Sequence, residues 1–195
     1  MRFSSPTHRY PAGRLVLAVL LVVLTLLGAC RASGPGSPAR TVASFFSKYD
    51  NRPGFHTTEW SANLLQRLAL VKLGNMFGGN DLTNAITGIR SARALTFAPT
   101  TSGALDLSQQ GLLSEANGLL QAEKYTPLVT GNSSAGNYNS VIRTSGDKVS
   151  EIVATGSLPN AANSFVLVQV QGNFTRAQAE ALSRALPQVV QQTAQ

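Results

Sequence analysis

The chain is short of the side chains that carry most enzyme chemistry. Its 195 residues include one cysteine and two histidines. A single cysteine excludes an intramolecular disulfide and any cysteine-rich metal site. Charged residues make up 13%, about half the usual share. The nine acids are scattered, and no two are spaced as a pair for acid–base work. No phosphate-cradling loop or dinucleotide fingerprint is present: Gly78-Gly79-Asn80-Asp81 lacks the Lys-Ser/Thr of a P-loop and reads as a turn between helices. Basic residues are in excess, with a net charge of +7. Three of them, Arg2, Arg9 and Arg14, precede an apolar run. Without these, 13 basic residues face nine acidic ones, a net of +4. The remaining basic residues stand singly, with no run and no interleaved aromatics, so the footprint of nucleic-acid binding is missing. What is abundant is apolar: 43% of residues are hydrophobic, enough to build a core and unlike a disordered chain.

The apolar run is Leu15 to Leu27, broken only by Thr25. As a helix it spans about 20 Å, short of the roughly 30 Å hydrocarbon core of a bilayer. Its length and the preceding arginines fit a secretory signal peptide. Leu27, Gly28, Ala29 and Cys30 follow, and this tetrad resembles the bacterial lipobox. The resemblance implies diacylglycerol transfer to the Cys30 sulfur and cleavage before Cys30. Two or three acyl chains hold a protein stably on a membrane. The alternatives are an uncleaved N-terminal anchor, or a signal peptide cut elsewhere beside an incidental cysteine. Arg31 stands where an inner-membrane retention signal would have aspartate, which implies delivery to the outer membrane, on its periplasmic or surface side. Residues 30–40 are rich in Gly, Pro and Ser and read as the acylated cysteine and a flexible tether. The chain therefore divides into a signal peptide at 1–29, a tether at 30–40 and one domain at 41–190.

Within the domain, Val42, Phe45, Phe46 and Tyr49 recur at helical spacing. Residues 55–58 read as a short strand. Ser61 caps a helix carrying Leu64, Leu65, Leu68 and Val71. Asp81 caps another with Leu82, Ile86 and Ile89 in its stripe. Arg93–Phe97 alternates as a strand. A helix over 107–122 turns Leu112, Leu113, Ala116, Leu119 and Leu120 inward. Pro127 suits an edge position. Residues 138–144 and 148–155 form a hairpin about Ser145-Gly146-Asp147. Phe165–Val170 is nearly continuous β-favouring residue and reads as a central strand, with Gly172-Asn173 as its end. Thr175 and Gln178 resemble a capping box, and the following helix ends before Pro187. The expected fold is α+β: an antiparallel sheet of about four to five strands with helices packed mainly on one face.

Several segments in order carry a family resemblance. They are Phe46-Ser47-Lys48-Tyr49, the stretch from Ile86 to Phe97, Tyr125-Thr126-Pro127-Leu128, Ser150-Glu151-Ile152-Val153, and the Phe165 strand leading into Gly172 to Thr175. Together they resemble the family catalogued as domain of unknown function 4252. The resemblance implies a short lipoprotein or secreted protein of Bacteroidetes-type bacteria. It brings no activity, cofactor or site residue with it.

Four residues remain as candidates for chemistry. Glu151 lies in phase with Val149 and Val153, which points it inward, and a buried carboxylate needs a partner. Arg143 on the facing strand is the candidate, as a cross-strand ion pair. His56 and Glu59 would form a dyad only if both faced one cleft. The simpler reading is a strand-end histidine near a helix N-terminal acid. With one histidine in the domain and no free thiol, no metal site is expected, and no cofactor. The expected function is non-enzymatic: an envelope lipoprotein held to the membrane by lipid, binding another envelope protein. The alternatives are a sensor or regulator in envelope-stress signalling, and a hydrolase acting on an envelope glycan or lipid.

Overall fold

The structure is a computed structural model. It describes residues 37–61, 80–99, 111–128, 138–158, 161 and 163–193. The signal segment, the lipobox with Cys30, most of the tether and the helix expected after Ser61 lie outside the described residues. Pro38–Gln195 form one compact unit.

Six strands form one antiparallel sheet: β1 (Phe55–Ser61), β2 (Ile89–Phe97), β3 (Thr126–Pro127), β4 (Asn139–Ser145), β5 (Lys148–Gly156) and β6 (Phe165–Phe174). Their order is β1-β2-β6-β5-β4-β3. The four helices described are α1 (Val42–Tyr49), α2 (Asn80–Thr87), α3 (Leu112–Ala122) and α4 (Arg176–Thr193). The expected class, the β4–β5 hairpin, the central β6 and the edge strand at Pro127 are all present.

The helices are divided between the two faces of the sheet and are not gathered mainly on one. Leu82, Ala85 and Ile86 of α2 and Ala179, Leu182, Ala185, Leu186 and Val190 of α4 join Ala92, Ala94, Ile152, Val166, Val168 and Val170 in a first core. Val42, Phe45, Phe46 and Tyr49 of α1 and Leu112, Ala116, Leu119 and Leu120 of α3 join Leu95, Phe97, Val153, Phe165 and Leu167 in a second. Alternate residues of one strand therefore feed opposite cores. This explains why Phe165–Val170 is apolar without alternation: both of its faces are buried.

Helix ends follow local chemistry. Thr41 and Ser44 form a capping box at α1. Thr175 and Gln178 form the expected one at α4, each backbone N–H meeting the other's side chain at 2.8 and 3.2 Å. Three boundaries differ from expectation. Ile89 begins β2 and does not continue the α2 stripe, because Gly88 is pressed against β6: a Cβ there would meet the Asn173 carbonyl at 2.9 Å. The Gly172-Asn173 pair does not end β6, which runs on to Phe174 beside it. Helix α4 runs through Pro187 to Thr193. Proline forfeits one helical hydrogen bond and crowds the preceding turn, but stopping there would strip the fully buried Val190 from the first core. Leu113 is the inward residue that α3 leaves outside, at 49% exposure. No described helix is long and apolar enough to cross a membrane.

Candidate functional site

A set of charged and amide side chains gathers on the second face of the sheet, beside α1 and α3. Glu151 is in phase with Val153, as expected, but not with Val149, which packs in the first core. A register shift between Val149 and Glu151 separates them. Such a bulge re-aims the residues beyond it, and here it turns Glu151 onto the second face.

Glu151 and Arg143 stand opposite in register, and Arg143 Nη1 lies 3.4 Å from Glu151 Oε2. The carboxylate also accepts a hydrogen bond from Gln169 Nε2 on β6. Gln169 in turn accepts from Arg93 Nε on β2 at 2.5 Å. Arg143 Nη2 donates to Glu123 Oε1 at 2.8 Å, and Glu123 Oε2 takes the Val42 N–H, the first residue of α1, at 2.8 Å. A continuous polar row thus runs Arg93–Gln169–Glu151–Arg143–Glu123 across four strands and into the second helix layer. Gln169 and Glu151 are each only 5% exposed. Both arginines lie over aromatic rings, Arg93 4.0 Å from the Phe46 centroid and Arg143 4.4 Å from that of Tyr125.

Burial lowers the Arg93 pKa, against the opposing pull of Glu59 and Glu151. The guanidinium remains a cation at neutral pH. Burial first, and then the Glu151 carboxylate, push the Tyr125 phenol up, so it stays neutral. Its hydroxyl is buried beside the Glu151 carboxylate.

A second carboxylate, Glu115, gathers the start of the domain. It accepts from Lys48 Nζ at 2.8 and 3.0 Å, from the Tyr49 hydroxyl at 2.7 Å and from the Ala39 N–H at 2.6 Å. Burial alone would raise its pKa, but these donors outweigh burial and hold it below the usual carboxylate value.

His56 and Glu59 are not brought together. Glu59 sits in mid-strand on β1 and not at a helix start. Three residues apart on an unbroken strand, the two point to opposite faces: Phe55 packs toward the second core and Trp60 lies in the first. Glu59 shares the second face with the polar row and stands opposite Arg93. Arg93 and Gln169 are not singled out by the sequence pattern. A glutamine inside an apolar strand was the available signal, since a buried amide needs partners.

Two hollows flank the row. One, of about 410 Å³, is bordered by Glu59, Ser91, Arg93, Gln169 and Gln171 at the β1 end. The other, of about 380 Å³, lies between Leu113 and Asn117 of α3 and the ends of β4, β5 and β6. Thr155 borders it with a buried hydroxyl that has no hydrogen-bond partner. Among the described residues no three His, Cys, Asp or Glu side chains come together as metal ligands.

The fold and site define an α+β domain with an open antiparallel sheet, helices on both faces and an internally paired polar row on one of them. The family model described as Domain of unknown function (DUF4252) matches residues 49–182, and the chain belongs to this family. No curated protein and no solved structure matches the chain.

Proposed function

We propose that this chain is an exported, lipid-anchored domain that binds a partner in the bacterial envelope and does not catalyse a reaction. The observation that carries the reading is how the ionisable groups of the row are spent. Glu151, Arg143 and Glu123 hold one another and the backbone of α1. A general acid or base needs a carboxyl or imidazole free to exchange a proton with substrate. The row's carboxylates are instead fixed as acceptors, an arrangement that suits a rigid binding face. The anchor rests on Leu27, Gly28, Ala29 and the sole cysteine, Cys30, at the one place a lipobox needs it. Arg31 favours the outer membrane.

Two experiments test this. Cys30→Ala should abolish palmitate labelling and leave unprocessed precursor or released protein; a variant that still labels and sorts normally rules out the anchor. Crosslinking in cells should recover an envelope protein through the domain. Recovery of no partner, together with turnover of an envelope glycan or lipid by purified protein, overturns the binding reading.

A further inference from the structure

The polar row is not closed at its β1 end. Glu59 stands directly opposite Arg93, a position from which opposite charges ordinarily pair. They do not: the ion pairs of the described residues leave both out. The reason is visible in the geometry of Arg93. Its Nε is drawn to Gln169 on β6, away from β1, and its plane is held over the Phe46 ring. The guanidinium is therefore fixed in place by two contacts, while its two Nη groups make no hydrogen bond. Glu59 is exposed and makes none either. Beside them, Gln171 Oε1 accepts the Ser91 hydroxyl at 3.2 Å, which leaves the Gln171 amide nitrogen as a further donor. These groups border the hollow of about 410 Å³, within the usual size range of small-ligand sites.

We propose that this hollow binds a small zwitterion, a short peptide with both termini free. Its carboxylate lies on the Nη edge of Arg93 and its ammonium on Glu59. An oriented guanidinium with a free edge matches a carboxylate in two parallel hydrogen bonds. A simple anion would gain that contact but meet the neighbouring Glu59 carboxylate. A simple cation would gain Glu59 and meet Arg93. A neutral sugar would leave both charges unanswered. Only a ligand carrying both signs a few ångströms apart satisfies the pair together. Because Gln169 and Phe46 already hold Arg93, little side-chain freedom is lost on binding.

The inference rests on the binding role proposed above and names a ligand class for it. The test is calorimetry on the full chain in detergent micelles, titrated with dialanine, N-acetyl-dialanine, dialanine amide and inorganic phosphate. Dialanine should bind saturably, and blocking either end should weaken binding at least tenfold. Glu59→Gln, an exposed substitution that should leave the thermal midpoint in place, should bring dialanine down to the affinity of its acetylated form. Arg93→Gln should abolish binding of both. The proposal is overturned if dialanine does not bind. It is also overturned if phosphate binds as tightly as dialanine and Glu59→Gln leaves both unchanged. In either case a partner recovered by crosslinking would leave the broader binding role standing.

Discussion

Glu115 shows how much one side chain can hold. Three groups from the first thirteen described residues, the Lys48 ammonium, the Tyr49 hydroxyl and the Ala39 N–H, all end on its two oxygens. The folded protein therefore binds a proton at Glu115 less readily than the unfolded chain does. The resulting stability is fully present above the unfolded chain's carboxyl value, 4.5, and is lost as pH falls through the lower folded value. Glu115→Gln should thus lower the urea midpoint at pH 7, and the gap from wild type should narrow as pH falls below 4.5. Glu151 poses a different case. Glu151→Ala strands the buried Gln169 amide and takes one partner from Arg143, which keeps Glu123 and is 39% exposed. We expect a loss of about 2 kcal/mol of unfolding free energy, below the range for a wholly buried pair. A urea titration at pH 7 measures it, and a change under about 0.5 kcal/mol, the usual scale of a surface substitution, would mean the row is not structural. The Arg143–Glu151 pair was legible as opposite charges on the two strands of one hairpin, but its exact register was not, because a bulge between Arg143 and Thr144 shifts the pairing by one residue from that set at the turn. The Gln169–Arg93 link was not, because it joins strands far apart in sequence and register between such strands leaves no local trace.

The backbone just ahead of β2 and the end of β6 approach closely. The Asn173 N–H donates to the Gly88 carbonyl at 3.2 Å. A Cβ on Gly172 would lie 2.4 Å from that carbonyl oxygen and 2.2 Å from the Phe174 ring. The ring could turn, but the backbone carbonyl is held. Gly172→Ala should therefore cost about 3 kcal/mol, the upper end for overpacking, read as a lower thermal midpoint. The same contact explains two misplaced boundaries. Periodicity alone extends α2 to Ile89 and reads Gly172-Asn173 as a strand end. In the fold the two glycines mark where backbones touch, a meaning that a glycine in a strand carries as often as termination. The passage of α4 through Pro187 was hidden for a related reason. The helix continues because of what Val190 packs against, and local propensity holds no record of that.

At the scale of the whole molecule, β2, β5 and β6 serve both cores at once, so the two helix layers share one sheet. Damage on one side should be felt on the other. Phe45→Ala, deep in the second core, should cost about 3–5 kcal/mol. Trp60, the only tryptophan, reports from the first core. Its fluorescence transition should shift as far as the far-ultraviolet circular dichroism transition, as two-state unfolding requires. Separate transitions would show that the layers melt independently. The class of the fold was legible from strand and helix periods, but the coverage of both faces was read wrongly. The unbroken apolar run at Phe165–Val170 was the available clue, since a strand with one wet face alternates.

The grip of Glu115 and Glu123 on the backbone of Ala39 and Val42 has a mechanical consequence. Tension on the chain ahead of Pro38 enters the domain at these two amides. It is met there by carboxylates on α3 and at its end, with Lys48 and Arg143 braced behind them. Among the described residues the first element at the point of entry is α1 and not a strand, so the sheet is not unzipped from an edge. Pulling at that end should first shear α1 from α3, and the force at which it yields should fall with acid, as the Glu115 carboxylate takes up a proton.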